Sequence, residues 1–167
     1  RPGDDLVPRI QDIVQRTNQL NIASQRYNLE ETRALIHSPH CHCYIVSCSD
    51  NYGDYGSVGF VTLAFQADGI LILDCMFSCR IQGKRIDEAV LAQIINQYIS
   101  GGAKVVRARF ISTKKNAPAG EMLARLGFAA QPGMEGVLAI TPVALRQAVP
   151  YVQITFSAPP IATPVSA

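Results

Sequence analysis

Residues 71–91 read LILDCMFSCRIQGKRIDEAVL, with two thiols, Cys75 and Cys79, after an aliphatic run. Arg80, Gly83, Lys84 and Arg85 follow the second thiol directly. A thiol is a nucleophile as its thiolate, and helix N-terminal amides and nearby cations favour that form. Strict alternation along LILDCMFSC predicts Leu71, Leu73, Cys75, Phe77 and Cys79 on one face of a strand. Cys75 then reads as a small core residue. Cys79 stands where the strand gives way to a turn and a helix start, with Arg80, Lys84 and Arg85 as the cations beside it. Gly83 lets the backbone approach a phosphate closely, while the helix-start amides point at it.

Three further clusters carry polar chemistry. RTNQLN places a hydroxyl and several amides where a first helix ends; alone, such residues cap helices and bond loops. In GDYG, Gly53 and Gly56 suit a tight turn, and the plain reading is a hairpin loop. STKKN follows a strand end, where Thr113, Lys115 and Asn116 suit a phosphate or a carrier arm and Lys114 reads as a solvated cation. HSPHCHC matches no standard zinc spacing, and a strand sends His42 away from Cys41 and Cys43, so no metal site is expected.

The elements that must position these residues follow from pattern. Leu6, Ile10, Ile13, Val14 and Leu20 predict an amphipathic helix ending around Gln19. A second opens at NLEE, where Asn28 and Glu31 form a capping-box pattern, and stops before Pro39. CYIVSC is a strand, and SVGFVTLAF and GILILDCMFS are two more joined by a turn at QADG. Residues 86–100 form a third helix closed by Gly101 and Gly102. KVVRARFI is a strand, APAGEMLARLGF a fourth helix, and 137–140 and 151–156 supply final strands. Consecutive strands imply antiparallel hairpins, and the strand–helix–strand unit after them implies a parallel pair. The expected fold is α/β, a mixed, mostly antiparallel sheet with helices on both faces.

The chain has 167 residues, 48% hydrophobic and 17% charged, the size of one domain. Its net charge of +2 argues against a nucleic-acid partner, so any cationic site is local. No apolar run approaches the roughly 20 residues of a membrane span, and the start is no signal peptide. A cytoplasmic protein with no membrane partner is expected. The five cysteines include no CxxC and cannot all pair, which suggests reduced thiols. RPGDD at the start and SAPPIATPVSA at the end read as linker. The expected division is a domain over residues 1–157 and a Pro/Ala-rich linker over 158–167, cut from a larger polypeptide.

The element order with its RxxGK loop resembles the GNAT acetyltransferase superfamily. There the strand before the loop splays, the pantetheine arm of coenzyme A lies beside it, and the pyrophosphate sits on the loop. The glycine or alanine usual after RxxGx is Arg85 here. More closely, RTNQLNIASQRY, NYGDYGSVG, FSCRIQGKRIDEAVL, STKKN and LGF stand in the order seen in FkbH-like glyceryl transferase/phosphatases, over about residues 9–128. That family, which commonly has Pro where Ser112 stands, supplies polyketide pathways with three-carbon units. Its members usually carry an N-terminal haloacid-dehalogenase-type phosphatase domain with an aspartate nucleophile. No DxDxT occurs here, and the chain resembles the second, GNAT-like half.

The resemblance implies a reaction. A glyceryl unit from an acyl phosphate, such as 1,3-bisphosphoglycerate, is loaded onto the phosphopantetheine thiol of an acyl carrier protein. Cys79 carries the acyl group as a thioester, with Asp54 as base or orienting group and Asn18 at the acyl site. Gln19, Asn21, Tyr55, Arg80, Gly83, Lys84, Arg85, Thr113, Lys115 and Asn116 are implied to bind substrate or the phosphopantetheine arm. The domain binds no cofactor of its own; the carrier brings the phosphopantetheine. The alternatives are an acetyl-coenzyme A-dependent N-acetyltransferase and a non-catalytic carrier-docking module.

Overall fold

The computed structural model describes residues 2–140 and 146–156. A short 3-10 turn leads into helix α1 (Val7–Arg16), which buries Val7, Ile10, Ile13 and Val14 and carries Pro in its first turn, where the missing N–H costs nothing. Helix α2 (Leu29–His37) starts on the expected capping box: Asn28 Oδ1 accepts from Glu31 N at 2.9 Å, and Glu31 Oε2 accepts from Asn28 N at 2.8 Å. Strands β1 (Cys41–Asp50), β2 (Gly53–Gln66) and β3 (Gly69–Phe77) follow, then helix α3 (Ile86–Ser100), strand β4 (Val105–Arg109) and helix α4 (Ala117–Arg125). Strands β5 (Ala129–Gln131) and β6 (Met134–Ile140) complete the described elements.

The sheet runs β1-β2-β3-β4-β6-β5, antiparallel throughout except for the β3–β4 pair that flanks α3. The mixed, mostly antiparallel sheet read from the sequence is therefore present. Helices α1 and α2 pack on one face with Cys43, Phe60 and Met76, and α3 and α4 cover the larger core on the other. Helix α3 is apolar on most sides, as a helix lying against a sheet under a second helix must be. Among the described residues no helix is long and apolar enough to cross a membrane.

Three expectations are corrected. The alternation along β3 is broken: Thr62 faces Asp74 while Leu63 faces Ile72, so Leu73 is an extra, bulged residue. Beyond it the faces exchange, and Cys75 and Phe77 share the α3-side core with Ile70 and Ile72 instead of with Leu71 and Leu73. Residues 151–156 form no strand; Val152, Ile154 and Phe156 lean on the core as an irregular segment, so their alternation records packing without a ladder. Its place in the count is taken by β5, too short to stand out in the sequence. Helix α1 also ends at Arg16, three residues before the expected stop, because the chain then leaves to pair with β3. The proposed linker at 158–167 lies outside the described residues.

One polar group inside the sheet has an energetic consequence. Asp74 is fully buried and accepts a hydrogen bond from the Tyr27 hydroxyl on Oδ2, while its Oδ1 has no partner. The hydroxyl of its cross-strand neighbour Thr62 is also unpartnered. Burial pushes the Asp74 carboxyl up to about 6, against the Tyr27 hydrogen bond and the charge of Arg109, which lower it. A carboxyl whose proton is held more tightly in the folded state contributes stability that is fully present below pH ~4 and lost as pH rises through about 6. At neutral pH the ionised group costs roughly 3 kcal/mol. Asn at this position keeps an acceptor for Tyr27 and adds a donor beside Thr62. Asp74→Asn is expected to raise the urea midpoint at pH 8, with the gain shrinking towards zero at pH 4. A difference independent of pH, or a less stable variant at pH 8, contradicts this origin.

Candidate active site

The parallel pairing of β3 with β4 runs from Gly69–Val105 to Ile72–Ala108 and stops there. Past Ile72 the two strands part, and residues 20–22 fill the opening. Ile22 N donates to Cys75 O at 3.2 Å, Phe77 N donates to Leu20 O at 2.9 Å, and Asn21 bridges Met76 in antiparallel sense. On the other side Ile111 N donates to Ile22 O at 2.9 Å. Leu20, Ile22 and Ala23 are buried, so the wedge is held by apolar contact as well as by its backbone.

Asn116 clamps the wedge. It is fully buried, and its Nδ2 donates to Asn21 O and Ile111 O, both at 2.9 Å, and to Ser24 Oγ at 3.4 Å. Its Oδ1 accepts from Thr113 N at 2.8 Å. The side chain of Asn21 stays within its own loop, with Oδ1 accepting from Ser24 N and Nδ2 donating to Gln25 O. Ser24 holds a positive φ of 55° in that turn.

The sequence-named residues fall into two groups. Asn18, Asn21, Thr113 and Lys115 line one pocket of about 340 Å³, joined by Thr17, Ser24, Arg26 and Lys114. Asn18 Oδ1 accepts from Arg26 at 2.5 Å, and Asn18 and Gln19 are exposed. Running antiparallel to β3, the wedge carries Gln19 and Asn18 towards the Ser78–Cys79 end of that strand.

The second group surrounds the loop after β3. Cys79 is exposed and opens a 3-10 turn, Cys79–Ile81, whose Ser78 cap accepts from Arg80 N. Cys75 is buried as expected, and burial, with Asp87 and Asp74 adding, pushes its thiol well up. The three cations expected around Cys79 all have protein partners. Lys84 Nζ donates to Asp50 Oδ2 and to the Tyr55 hydroxyl, both at 2.7 Å, and stands 4.3 Å from the centre of the Tyr55 ring. This holds the Asp50 carboxyl down at about 2 and raises Lys84. Arg80 donates to Ser78 Oγ and Tyr55 O. Arg85, left-handed at φ 55°, pairs with Glu88, which also accepts from Arg125 and so ties α3 to α4. Gly83 has φ +80° and open space where a Cβ would stand, so its backbone conformation is what calls for glycine. Asp54, expected beside Cys79, turns Oδ1 onto its own Gly56 N–H at 2.7 Å, and among the described residues it shares no hydrogen bond with Cys79.

Sequence reasoning gave no role to Ser24, Arg26 or Asp87, and took Thr17 only as a helix-end hydroxyl. Nothing in the residue pattern distinguishes a first-turn aspartate that is buried, yet Asp87 is only 6% exposed, and burial raises its carboxyl above the usual carboxylate range. The pocket residues of the loop are polar positions whose roles follow from how the wedge turns.

This sheet, with its β3–β4 splay and the four helices in their order, is the GNAT fold. Among solved structures, a domain from Methanocaldococcus jannaschii DSM 2661 superposes with TM-score 0.66 at 18% identity, over 84% of this chain and 95% of that one. The ribosomal-protein-S18-alanine N-acetyltransferase of Escherichia coli gives 0.63 at 15% identity, over 92% and 96%. The PaiA N-acetyltransferase of Thermoplasma acidophilum, in complex with coenzyme A, gives 0.62 at 11%, over 84% and 95%. No family model and no curated protein matches the sequence.

Coenzyme A, which the fold implies, does not fit the residues present. Beyond Ile72 the Cys75 carbonyl and the Phe77 N–H of the β3 edge are bonded to residues 22 and 20, and a pantetheine arm would have to displace them. The cations of the loop after β3 are also taken up, Lys84 by Asp50 and Arg85 by Glu88.

Because Asn116 satisfies three backbone groups and one hydroxyl away from water, removing it strands them. Asn116→Ala is expected to destabilise by roughly 2–4 kcal/mol in urea unfolding. Asn116→Asp is expected to be no milder, since a carboxylate would face the carbonyls of Asn21 and Ile111. An alanine variant within about 0.5 kcal/mol of the parent rules out the clamp.

Proposed function

We propose that the chain is an acyltransferase domain that loads a glyceryl-type hydroxyacyl unit onto an acyl carrier protein through Cys79, as in supplying three-carbon units to polyketide assembly. The observation that carries this reading is a cleft closed by polypeptide with an exposed cysteine at its end. With residues 20–22 bonded to β3, this reading takes the acyl group on a protein thiol, and Cys79 is the accessible one of the two thiols at the end of β3. The Cys79 thiolate attacks the carbonyl carbon of the acyl phosphate; a C–S bond forms, the C–O bond to phosphate breaks, and phosphate leaves. The phosphopantetheine thiolate of the carrier then attacks the thioester, the acyl group moves, and Cys79 leaves as thiolate. Both sulfurs are comparable leaving groups, so the second step is nearly balanced. The exposed position of Cys79 suits a thiol delivered from solvent by a carrier protein in the cytoplasm. A haloacid-dehalogenase-type phosphatase domain in the same polypeptide completes this reading.

A second reading, amine acetylation with acetyl-coenzyme A, is favoured by the fold shared with the S18-alanine N-acetyltransferase. It requires residues 20–22 to leave the cleft.

Incubation with 1,3-bisphosphoglycerate and a partner phosphatase is expected to add one hydroxyacyl mass, removable by hydroxylamine. Cys79→Ala should lower transfer to holo-carrier protein roughly a thousandfold or more, as loss of a nucleophile does. Cys75→Ser should label like the parent. A comparable hydroxylamine-labile adduct on the Cys79→Ala protein excludes Cys79 as the carrier. Amine acetylation that survives the same substitution restores the second reading, and carrier binding without either activity assigns a docking module.

A further inference from the structure

We infer that Asp50 is a positioning residue that acts through Lys84: it latches the tip of the β1–β2 hairpin onto the turn of Cys79 and keeps the Lys84 charge from acting at that thiol. Two bulges in β2 bend the hairpin towards this turn. Val46 pairs with Gly59 and Ser47 with Ser57, so Val58 is an extra residue; Cys48 pairs with Gly56 and Ser49 with Asp54, so Tyr55 is a second. Both extra residues reach the turn, one on each side of Cys79. Val58 O accepts from Ser78 N at 2.7 Å, and Tyr55 O accepts from Arg80 Nη1 at 3.3 Å.

The two holds differ in kind. Val58 is fully buried, so its bond to Ser78 belongs to the core. The tip is exposed from Asp50 to Asp54. Among the described residues, Lys84 and Arg80 are the only groups outside the hairpin that hydrogen-bond to residues 50–56. The bonds of Lys84 close a triangle: Nζ donates to Asp50 Oδ2 and to the Tyr55 hydroxyl, both at 2.7 Å, and that hydroxyl donates to the same Asp50 oxygen at 2.9 Å. The other Asp50 oxygen accepts from Tyr52 N at 2.8 Å, which fixes the carboxylate within the tip. A compact turn joins Lys84 to Cys79, with Gln82 N donating to Cys79 O at 3.0 Å and Lys84 N donating to Ile81 O at 3.1 Å. Two of the three ammonium donors are therefore spent on the hairpin, and a carboxylate neutralises the charge. An ion pair so open to solvent is held weakly, which makes the contact a reversible latch.

A use of the latch in acyl transfer rests on the reading above; the latch itself does not, so it is tested without any acyl donor. Two readouts are taken on the whole chain at low ionic strength. One is the relaxation of the backbone amides of residues 51–56. The other is alkylation of Cys79 by neutral iodoacetamide and by anionic iodoacetate, read from the peptide mass at that cysteine. Asp50→Asn keeps an acceptor for Tyr52 N but turns amide donors towards Lys84, so it opens the latch without dismantling the tip. It is expected to free the tip, with order parameters falling below about 0.6. It should also raise the iodoacetate-to-iodoacetamide rate ratio at Cys79 roughly threefold, the effect of one unit charge a few ångströms away in water. Salt of about 1 M should remove that rise. Lys84→Gln should free the tip as much without raising the ratio, and Asp50→Glu should behave like the parent. A tip that stays rigid in either Asp50→Asn or Lys84→Gln overturns the latch. An unchanged ratio in Asp50→Asn, or both reagents accelerated alike, overturns the action through Lys84. A latch that behaves as expected on a chain that never acylates Cys79 stands while the acyl-transfer reading falls. Acyl transfer through Cys79 with a rigid tip in both variants keeps that reading and removes the latch.

Discussion

The hydrogen bonds from Ile22 to Cys75 and from Phe77 to Leu20 close the one gap that this sheet cannot close with its own strands. Two parallel strands that part inside a protein expose a row of backbone N–H and C=O groups on each inner edge. Leaving such groups unpaired and buried costs about as much as the lost hydrogen bonds. The gap must therefore be filled by a ligand, by water or by the chain. Here the chain fills it, and the bulge at Leu73 bends β3 just where β4 is lost as a partner. Helix α1 stops at Arg16 to free the segment, Asn116 bonds its outer face, and the polar turn around it becomes a pocket wall.

Charge follows the same division. The β1–β2 hairpin folds over the loop after β3 so that Asp50 and Tyr55 hold Lys84, and Glu88 holds Arg85 and Arg125. Exposed pairs of this kind add little to stability, but they occupy the cations that would otherwise meet a pyrophosphate. Arg26, Lys114 and Lys115, none of which has a carboxylate partner among the described residues, stand instead around residues 17–26 and 113–115. Cys79 lies between a committed loop and the end of the wedge, exposed to solvent.

Much of the scaffold was legible because it is written in local terms. The capping box of Asn28 and Glu31, the apolar run of α3 closed by Gly101, and the parallel pairing implied by strand–helix–strand all depend on near neighbours in sequence. The buried role of Cys75 was legible as well, although for the wrong register, since the bulge moved its face and its new neighbours are equally apolar. What could not be read depends on distant partners. No local signal says that Lys84 meets Asp50 across 34 residues, that Asn116 bonds Asn21 across 95, or that Leu20 and Ile22 sit between two strands instead of ending a helix. In 151–156 the alternation was real but the ladder was not, because period two reports which side is buried and not whether a neighbouring strand is there.

Residues 20–22 are bonded into the sheet as a part of it, not laid over it as a lid on a coenzyme A groove. Hydrogen exchange at the amides of Ile22, Phe77 and Ile111, with and without saturating coenzyme A, tests it most directly. If the wedge is permanent, these amides exchange as slowly as the core of β3, through global unfolding, and coenzyme A leaves them unchanged. Fast exchange through local opening, or coenzyme A binding that alters protection at these three amides, contradicts the account.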